Sequence, residues 1–316
     1  AQFVFLHGSF LGLSGSGVYW KVRQKYFAPD RFGWEWLPKP GTLAAIRAYV
    51  GRHAYRLRRS EVTTGPQKVY ERRYVELPRS IREAYDLIER YFSDGRLRET
   101  NWRIVVSVWL AALAGGCHLP EYRHEAKLSE LRALLDTELA GEQVVVWCRF
   151  RAEGQAIARL LPGSRLILGE TPLSQRQSAI SAFNAGKTRV LVCQLNTMRY
   201  GVNLASAGAA IYYSNSYEYE VRAQSEDRIV SAQKSGPALI LDLVARRTVD
   251  EDVLAALALK GHSARMLVDF VADRVRERAQ SVVDEHRPWL DSDRLGAVVR
   301  SLLAAHGNGA PQRDSA

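Results

Sequence analysis

Residues 189–237 read RVLVCQLNTMRYGVNLASAGAAIYYSNSYEYEVRAQSEDRIVSAQKSGP, and this stretch decides the fold. It opens on an apolar run at 190–193, short enough for a buried strand. A loop follows, ending in Gly201-Val202-Asn203-Leu204, and a second apolar run at 209–213 reads as another strand. A polar, helix-like segment comes next, with Gln224, Glu226, Asp227 and Arg228 close together. The unit is therefore strand, glycine-bearing loop, strand, and a helix that carries a glutamine and an arginine one turn apart.

Working outward, the same alternation runs on both sides. Helices are predicted over 126–139, 151–161, 174–184, 220–231 and 249–259, and strands over 143–148, 165–168 and 238–244. Alternating βα units imply α/β architecture, a parallel sheet covered by helices on both faces. The usable crevice of such a sheet lies at the carboxyl ends of its strands.

Upstream, Phe3-Val4-Phe5-Leu6 reads as a strand, glycines at 8, 12, 15 and 17 as a loop, and 18–25 as a helix. A core strand this early sets the expectation that the rest of its domain lies elsewhere. A helix runs from Thr42, an expected N-cap, to Arg59, decorated by Arg47, Arg52, Arg56, Arg58 and Arg59. The planar guanidinium fork suits phosphate, which makes Arg56 and Arg59 candidate nucleic-acid contacts. A strand is expected over 67–77 and helices over 80–92 and 102–114, so region 25–118 reads as a mostly helical, basic insertion. An amphipathic tail begins near residue 262, a second helix covers about 293–305, and the last ten residues have the composition of a disordered end.

Composition narrows the class. The chain has 316 residues, 47% of them hydrophobic, and a net charge of +10. Residues 20–105 hold 19 Lys and Arg against 10 Asp and Glu, which points to a polyanionic partner, nucleic acid first. No secretory leader is recognised, and no uncharged run reaches membrane-spanning length, so no membrane partner is expected. Cys117, Cys148 and Cys193 are odd in number and far apart, which excludes a disulfide framework. Cys117, His118 and His124 lack a fourth ligand nearby and read as a buried thiol and two surface histidines. Gly186-Lys187-Thr188 imitates the end of a P-loop. That loop needs glycine where Ser181 stands, and it must follow a strand and open a helix. The tripeptide reads as a turn, and no other stretch of the sequence matches a P-loop. No metal constellation and no Ser-His-Asp set emerges.

The ordered motifs resemble those of the Swi/Snf-type ATP-dependent DNA translocases of helicase superfamily two, especially compact phage and bacterial versions. Leu6-His7-Gly8-Ser9 with Tyr19-Trp20 resembles motif III, and residues 144–150 resemble motif IV. Gly169-Glu170-Thr171 with Arg176 and Phe183-Asn184 resembles the segment after it. Residues 190–204 resemble motif V, Gln224-Ser225-Glu226-Asp227-Arg228-Ile229 resembles motif VI, and Thr248-Val249-Asp250-Glu251 resembles the Thr-Ile-Asp-Glu after the last strand.

This resemblance implies two RecA-like lobes with ATP and Mg2+ between them and double-stranded DNA across the top. It divides the chain into the end of the first lobe (1–24), the helical insertion (25–118), the second lobe (119–260) and the tail (261–316). It places Gln224 and Arg228 in catalysis, with Gly201 and Asn203 beside them at the nucleotide. It places Arg149, Arg151, Thr171 and Arg176 on DNA phosphates. The nucleotide would be bound mainly by a first lobe on the same or another polypeptide, in the cytoplasm of a bacterial or phage-infected cell. One departure divides the readings. Motif VI of the family continues Arg-x-x-Arg-x-Gly-Gln, whereas here Arg228 leads through Ile-Val-Ser-Ala to Gln233 without a second arginine. The expected function is therefore the C-terminal half of a translocase, or alternatively a non-catalytic nucleic-acid-binding or regulatory subunit that keeps the helicase fold.

Overall fold

The computed structural model describes residues 18–29, 36–42, 44–46, 48, 67–93, 100–198, 203–230, 236–258 and 274. The expected strand at 3–6, most of the helix at 42–59 with Arg56 and Arg59, Gly201, residues 231–233 and the tail helices lie outside them. The chain divides into two compact units, Ala1–Thr64 and Gly65–Ala316.

In the first unit, α1 (Val18–Tyr26) leads into β1 (Phe27–Pro29), which pairs antiparallel with β2 (Trp36–Pro38). The Arg23 guanidinium lies over the rings of Trp20 and Trp36, at 5.1 and 4.3 Å from their centroids. Thr42 is buried, and its hydroxyl donates to the Tyr26 carbonyl at 2.7 Å.

The second unit is built on six parallel strands. They are β3 (Lys68–Val75), β4 (Val144–Cys148), β5 (Arg165–Ile167), β6 (Val190–Gln194), β7 (Ala209–Tyr212) and β8 (Ala238–Ala245). Their spatial order is β3-β8-β7-β4-β6-β5, and every pairing is parallel. The helices are α2 (Arg79–Ser93), α3 (Thr100–Gly115), α4 (Ala126–Asp136), α5 (Arg151–Leu160), α6 (Leu173–Asn184), α7 (Tyr219–Ile229) and α8 (Val249–Ala258).

The period of two along each strand splits the core into two layers. Val145 and Trp147 of β4 pack with Phe183, Leu191, Tyr212 and Ile229 on one face. Val144, Val146 and Cys148 pack with Leu131, Leu134, Ile157 and Val192 on the other. Both faces are apolar because helices cover both.

One expectation needs correction here. The strand foreseen at 67–77 is not part of a separate helical insertion. It is an edge strand of the main sheet, in register with β8 from Lys68↔Ala238 to Val75↔Ala245. Most of its residues are exposed or part-buried and only Val75 is buried, so the sequence gives no sign of what it pairs with. Helices α2 and α3 likewise share a core with α8, in which Tyr85, Trp109, Leu110 and Leu113 meet Val249, Val253 and Ala256. That core sits against Val75 and Ala245, the last residues of β3 and β8.

Candidate functional site

The chain leaving the carboxyl ends of β4 and β5 carries Arg149, Arg151, Thr171 and Arg176, and the turn after β6 meets it through Thr197. The Arg149 N–H donates to Ser214 Oγ at 2.7 Å, and its guanidinium lies over the rings of Phe150 and Tyr217. Arg151 is exposed and pairs with Glu170 at 2.9 Å, joining the loop after β4 to the turn after β5. The Thr171 hydroxyl accepts from the Leu168 N–H at 2.9 Å. Arg176 is half-buried and turned toward the main chain. Its guanidinium donates to four carbonyls: Thr171 (2.7 Å), Gly169 (2.6 Å), Thr197 (3.2 Å) and Leu168 (3.3 Å).

The second group forms around α7. After β6 the chain makes a 3-10 turn, Leu195–Met198, and re-enters the described residues at Asn203. Asn203 is exposed; its side-chain oxygen accepts from the Ala205 N–H (3.0 Å), and its carbonyl accepts from the Asn184 amide (3.0 Å). Leu204 N–H donates to the Arg228 carbonyl at 2.9 Å, tying this segment to the end of α7. Gln224 is exposed and Arg228 half-buried, four residues apart and so on one face of the helix.

The opposite face of α7 is fixed by buried charge. Arg222 binds Asp242 through two nitrogens at 2.6 and 3.1 Å, Glu226 at 2.7 Å and Asn215 at 2.6 Å. Its guanidinium lies 3.5 Å from the Tyr212 ring centroid. Glu226 also receives Lys68 (3.0 Å) and the Tyr70 hydroxyl (2.9 Å) from β3, and Lys68 reaches Asp227 at 3.0 Å. Burial alone would raise the Glu226 carboxyl, but Arg222 and Lys68 hold it below its usual range. Burial pushes the Tyr212 phenol up; its hydroxyl meets Ser225 Oγ at 2.6 Å. The sequence reading missed Arg222 and Asp242. The available signal was an acid inside the apolar run ALILDLVA, since a carboxylate in a buried strand needs a partner.

The acidic pair at the start of α8 caps its own turn. Asp250 accepts from the Ala245 N–H (2.9 Å) and pairs with the buried Lys127 (2.6 Å), and Glu251 accepts from the Arg247 N–H (3.1 Å). Gly186 has φ +72°, which suits a turn glycine. The reading of two surface histidines is corrected. His124 is buried with Nε2 2.8 Å from the Leu113 carbonyl, and His118 is half-buried against Phe150. Burial lowers the His124 pKa and pushes the Cys117 thiol up to about 11. Among the described residues no group of three His, Cys, Asp or Glu could hold a metal ion. No helix among them is long and apolar enough to cross a membrane.

A parallel six-stranded sheet flanked by helices matches the fold of the RecA-like second lobe of Snf2 ATPases. The family of the helicase conserved C-terminal domain matches residues 126–233. Over 94 residues the chain is 32% identical to the human SWI/SNF-related matrix-associated actin-dependent regulator of chromatin subfamily A member 1, covering 29% of this chain and 9% of that protein. The C-terminal part of the Fun30 ATPase domain superposes with a TM-score of 0.55 at 14% identity, over 71% of this chain and 100% of that one. The Sulfolobus solfataricus SWI2/SNF2 ATPase core in complex with dsDNA gives 0.53 at 14% identity, over 77% of this chain and 55% of that one. The second unit is thus similar in fold to the C-terminal lobe of Snf2-type ATPases, and residues 126–233 match the helicase conserved C-terminal domain. The match spans 3–12% of the length of the curated relatives.

Proposed function

We propose that this chain is the half of an ATP-dependent double-stranded DNA translocase that contacts one DNA strand and closes on the nucleotide. The observation that carries this reading is the division of labour on α7. Arg222, Glu226 and Asp242 bind one another on the inner face, and Gln224 and Arg228 lie on the opposite face, one exposed and one half-buried. An arginine in that setting suits the charge that develops on a transferring phosphoryl group. Asn203, joined to α7 through Leu204 and Arg228, and Gly201 would flank the same nucleotide. Gln224 and Arg228 would face one side of the nucleotide, and ATP and its metal would be held chiefly by a first RecA-like lobe on the same or another polypeptide. When bound, ATP would supply the energy for closing the two lobes.

On the DNA side, Arg149, Arg151 and Thr171 would position one strand without reading its sequence. The solved Sulfolobus core in complex with dsDNA, similar in fold, supports a duplex. Arg56 and Arg59, in the basic N-terminal region, would be separate phosphate contacts.

The test uses the purified chain. It should bind duplex DNA with an affinity that falls steeply with salt, as phosphate contacts release counterions. It should not hydrolyse ATP, with or without DNA. Binding that ignores salt, or DNA-stimulated turnover by this chain alone, sinks the proposal.

A second reading has its own support, the run Arg228-Ile-Val-Ser-Ala-Gln233 with its single arginine. On that reading the chain is a non-catalytic DNA-binding subunit. The two separate in a polypeptide that joins a P-loop lobe to this chain. The motor reading expects DNA-stimulated hydrolysis that drops roughly a thousandfold in Arg228→Ala. DNA binding without any hydrolysis would favour the subunit.

A further inference from the structure

Arg176 and Gln194 spend their hydrogen-bonding capacity on the main chain of three separate loops. Arg176 reaches the carbonyls of Leu168, Gly169 and Thr171 after β5 and of Thr197 after β6. The Gln194 side chain accepts from the Gly169 N–H at 3.1 Å and donates to the Arg149 carbonyl at 3.2 Å. Thr197 closes the set by donating its hydroxyl to the Gln194 carbonyl at 2.7 Å. A guanidinium has five N–H donors in a rigid fork and no acceptor, so four carbonyls nearly exhaust it. Little donor capacity is left for a phosphate.

We propose that Arg176 and Gln194 are positioning residues, not DNA contacts. They fasten the loops after β4, β5 and β6 into one stiff edge, so that Arg149, Arg151 and Thr171 meet a strand together. Through Thr197 the same fastening includes the turn after β6. The DNA part of this inference rests on the function proposed above; the fastening of the loops does not.

The full chain is titrated with labelled duplex DNA over a range of salt, alongside Arg176→Lys, Arg176→Ala and Gln194→Glu. A lysine keeps the charge but presents one compact ammonium, which cannot span four carbonyls. Positioning therefore expects Arg176→Lys to bind as weakly as Arg176→Ala, both roughly tenfold below the native chain from the lost hydrogen bonds. Gln194→Glu, which keeps the acceptor for Gly169 but sets a carboxylate against the Arg149 carbonyl, weakens binding too. A direct phosphate contact expects otherwise: Arg176→Lys binds like the native chain, and Arg176→Ala lowers the salt slope by about one. That result overturns the proposal.

Hydrogen exchange on the DNA-free chain supplies the second arm. In the variants the amides of Gly169 and Thr171 should exchange faster, while those of Val145 and Val192 in the strands stay protected. Unchanged protection in the loops overturns the proposal as well. If the native chain does not bind DNA, the functional reading falls, and the exchange arm alone decides whether the loops are fastened as inferred. Gln194→Glu serves where an Arg176 variant fails to fold.

Discussion

Glu153 is 1% exposed, yet it holds two loops of the candidate site. One carboxylate oxygen accepts from the Phe150 N–H at 3.0 Å and from the Ser214 hydroxyl at 2.5 Å, and that hydroxyl in turn accepts from the Arg149 N–H at 2.7 Å. Burial raises its pKa, and the bonds from Ser214 and Phe150 only partly offset this. The folded state therefore keeps a proton on Glu153 at pH values where the unfolded chain, titrating near about 4.3, has lost it. Stability must then fall as pH rises through the window between those two values. Glu153→Gln cannot titrate and should lack that fall. Urea midpoints measured from pH 4 upward should show the variant gaining on the native chain as pH rises; parallel profiles would refute this. Residues differ in how far the sequence reveals them. That Gln224 and Arg228 share a helix face is legible because their spacing is local. Arg222 and Asp242 meet across twenty positions, and Arg176 spends itself on carbonyls, which every residue carries and no sequence pattern marks.

Helix α5 shows how an element's docking is set by one residue. A Cβ on Gly154 would lie 3.1 Å from Leu168, 3.2 Å from Cys148 and 3.2 Å from Leu166. Alanine usually improves a helix interior over glycine by about 0.5–1 kcal/mol, but here its methyl meets packed side chains. Valine is the clearer test. Its two added methyls overpack the contact between α5 and the sheet, so Gly154→Val should cost about 1–3 kcal/mol. A thermal melt should show a lower midpoint for the variant, and an unchanged one would mean that α5 can shift. The elements were largely legible. The helix and strand ranges around 126–258 follow from period, and the structure moves their ends by only a few residues. The ribbon of β1 and β2 escaped notice because three residues with a terminal proline carry no period. β3 was seen as a strand, but its neighbour was not, because parallel pairing with β8 joins residues about 170 positions apart.

For the whole molecule, charge and helix content suggest a divide near residue 118, whereas the chain's compact units part between Thr64 and Gly65. Composition is a local average, so it groups residues 20–105 as one basic stretch and cannot register that β3 completes a sheet. The two divides make opposite predictions for fragments. A fragment of residues 119–316 would lose β3, baring the edge of β8 along eight paired positions. It would also lose α2 and α3, uncovering Val249, Val253 and Ala256 of α8, where buried apolar surface contributes roughly 25 cal/mol per Å². A bare apolar edge invites pairing between chains. A fragment of residues 65–316 keeps both layers of the sheet and the third core intact. It should unfold in one cooperative transition, while 119–316 should aggregate or melt without one. Circular dichroism melts and size-exclusion chromatography of the two fragments decide between the divides. A monomeric 119–316 fragment that melts as sharply as 65–316 would restore the boundary at 118 and make β3 and its helices an appendage.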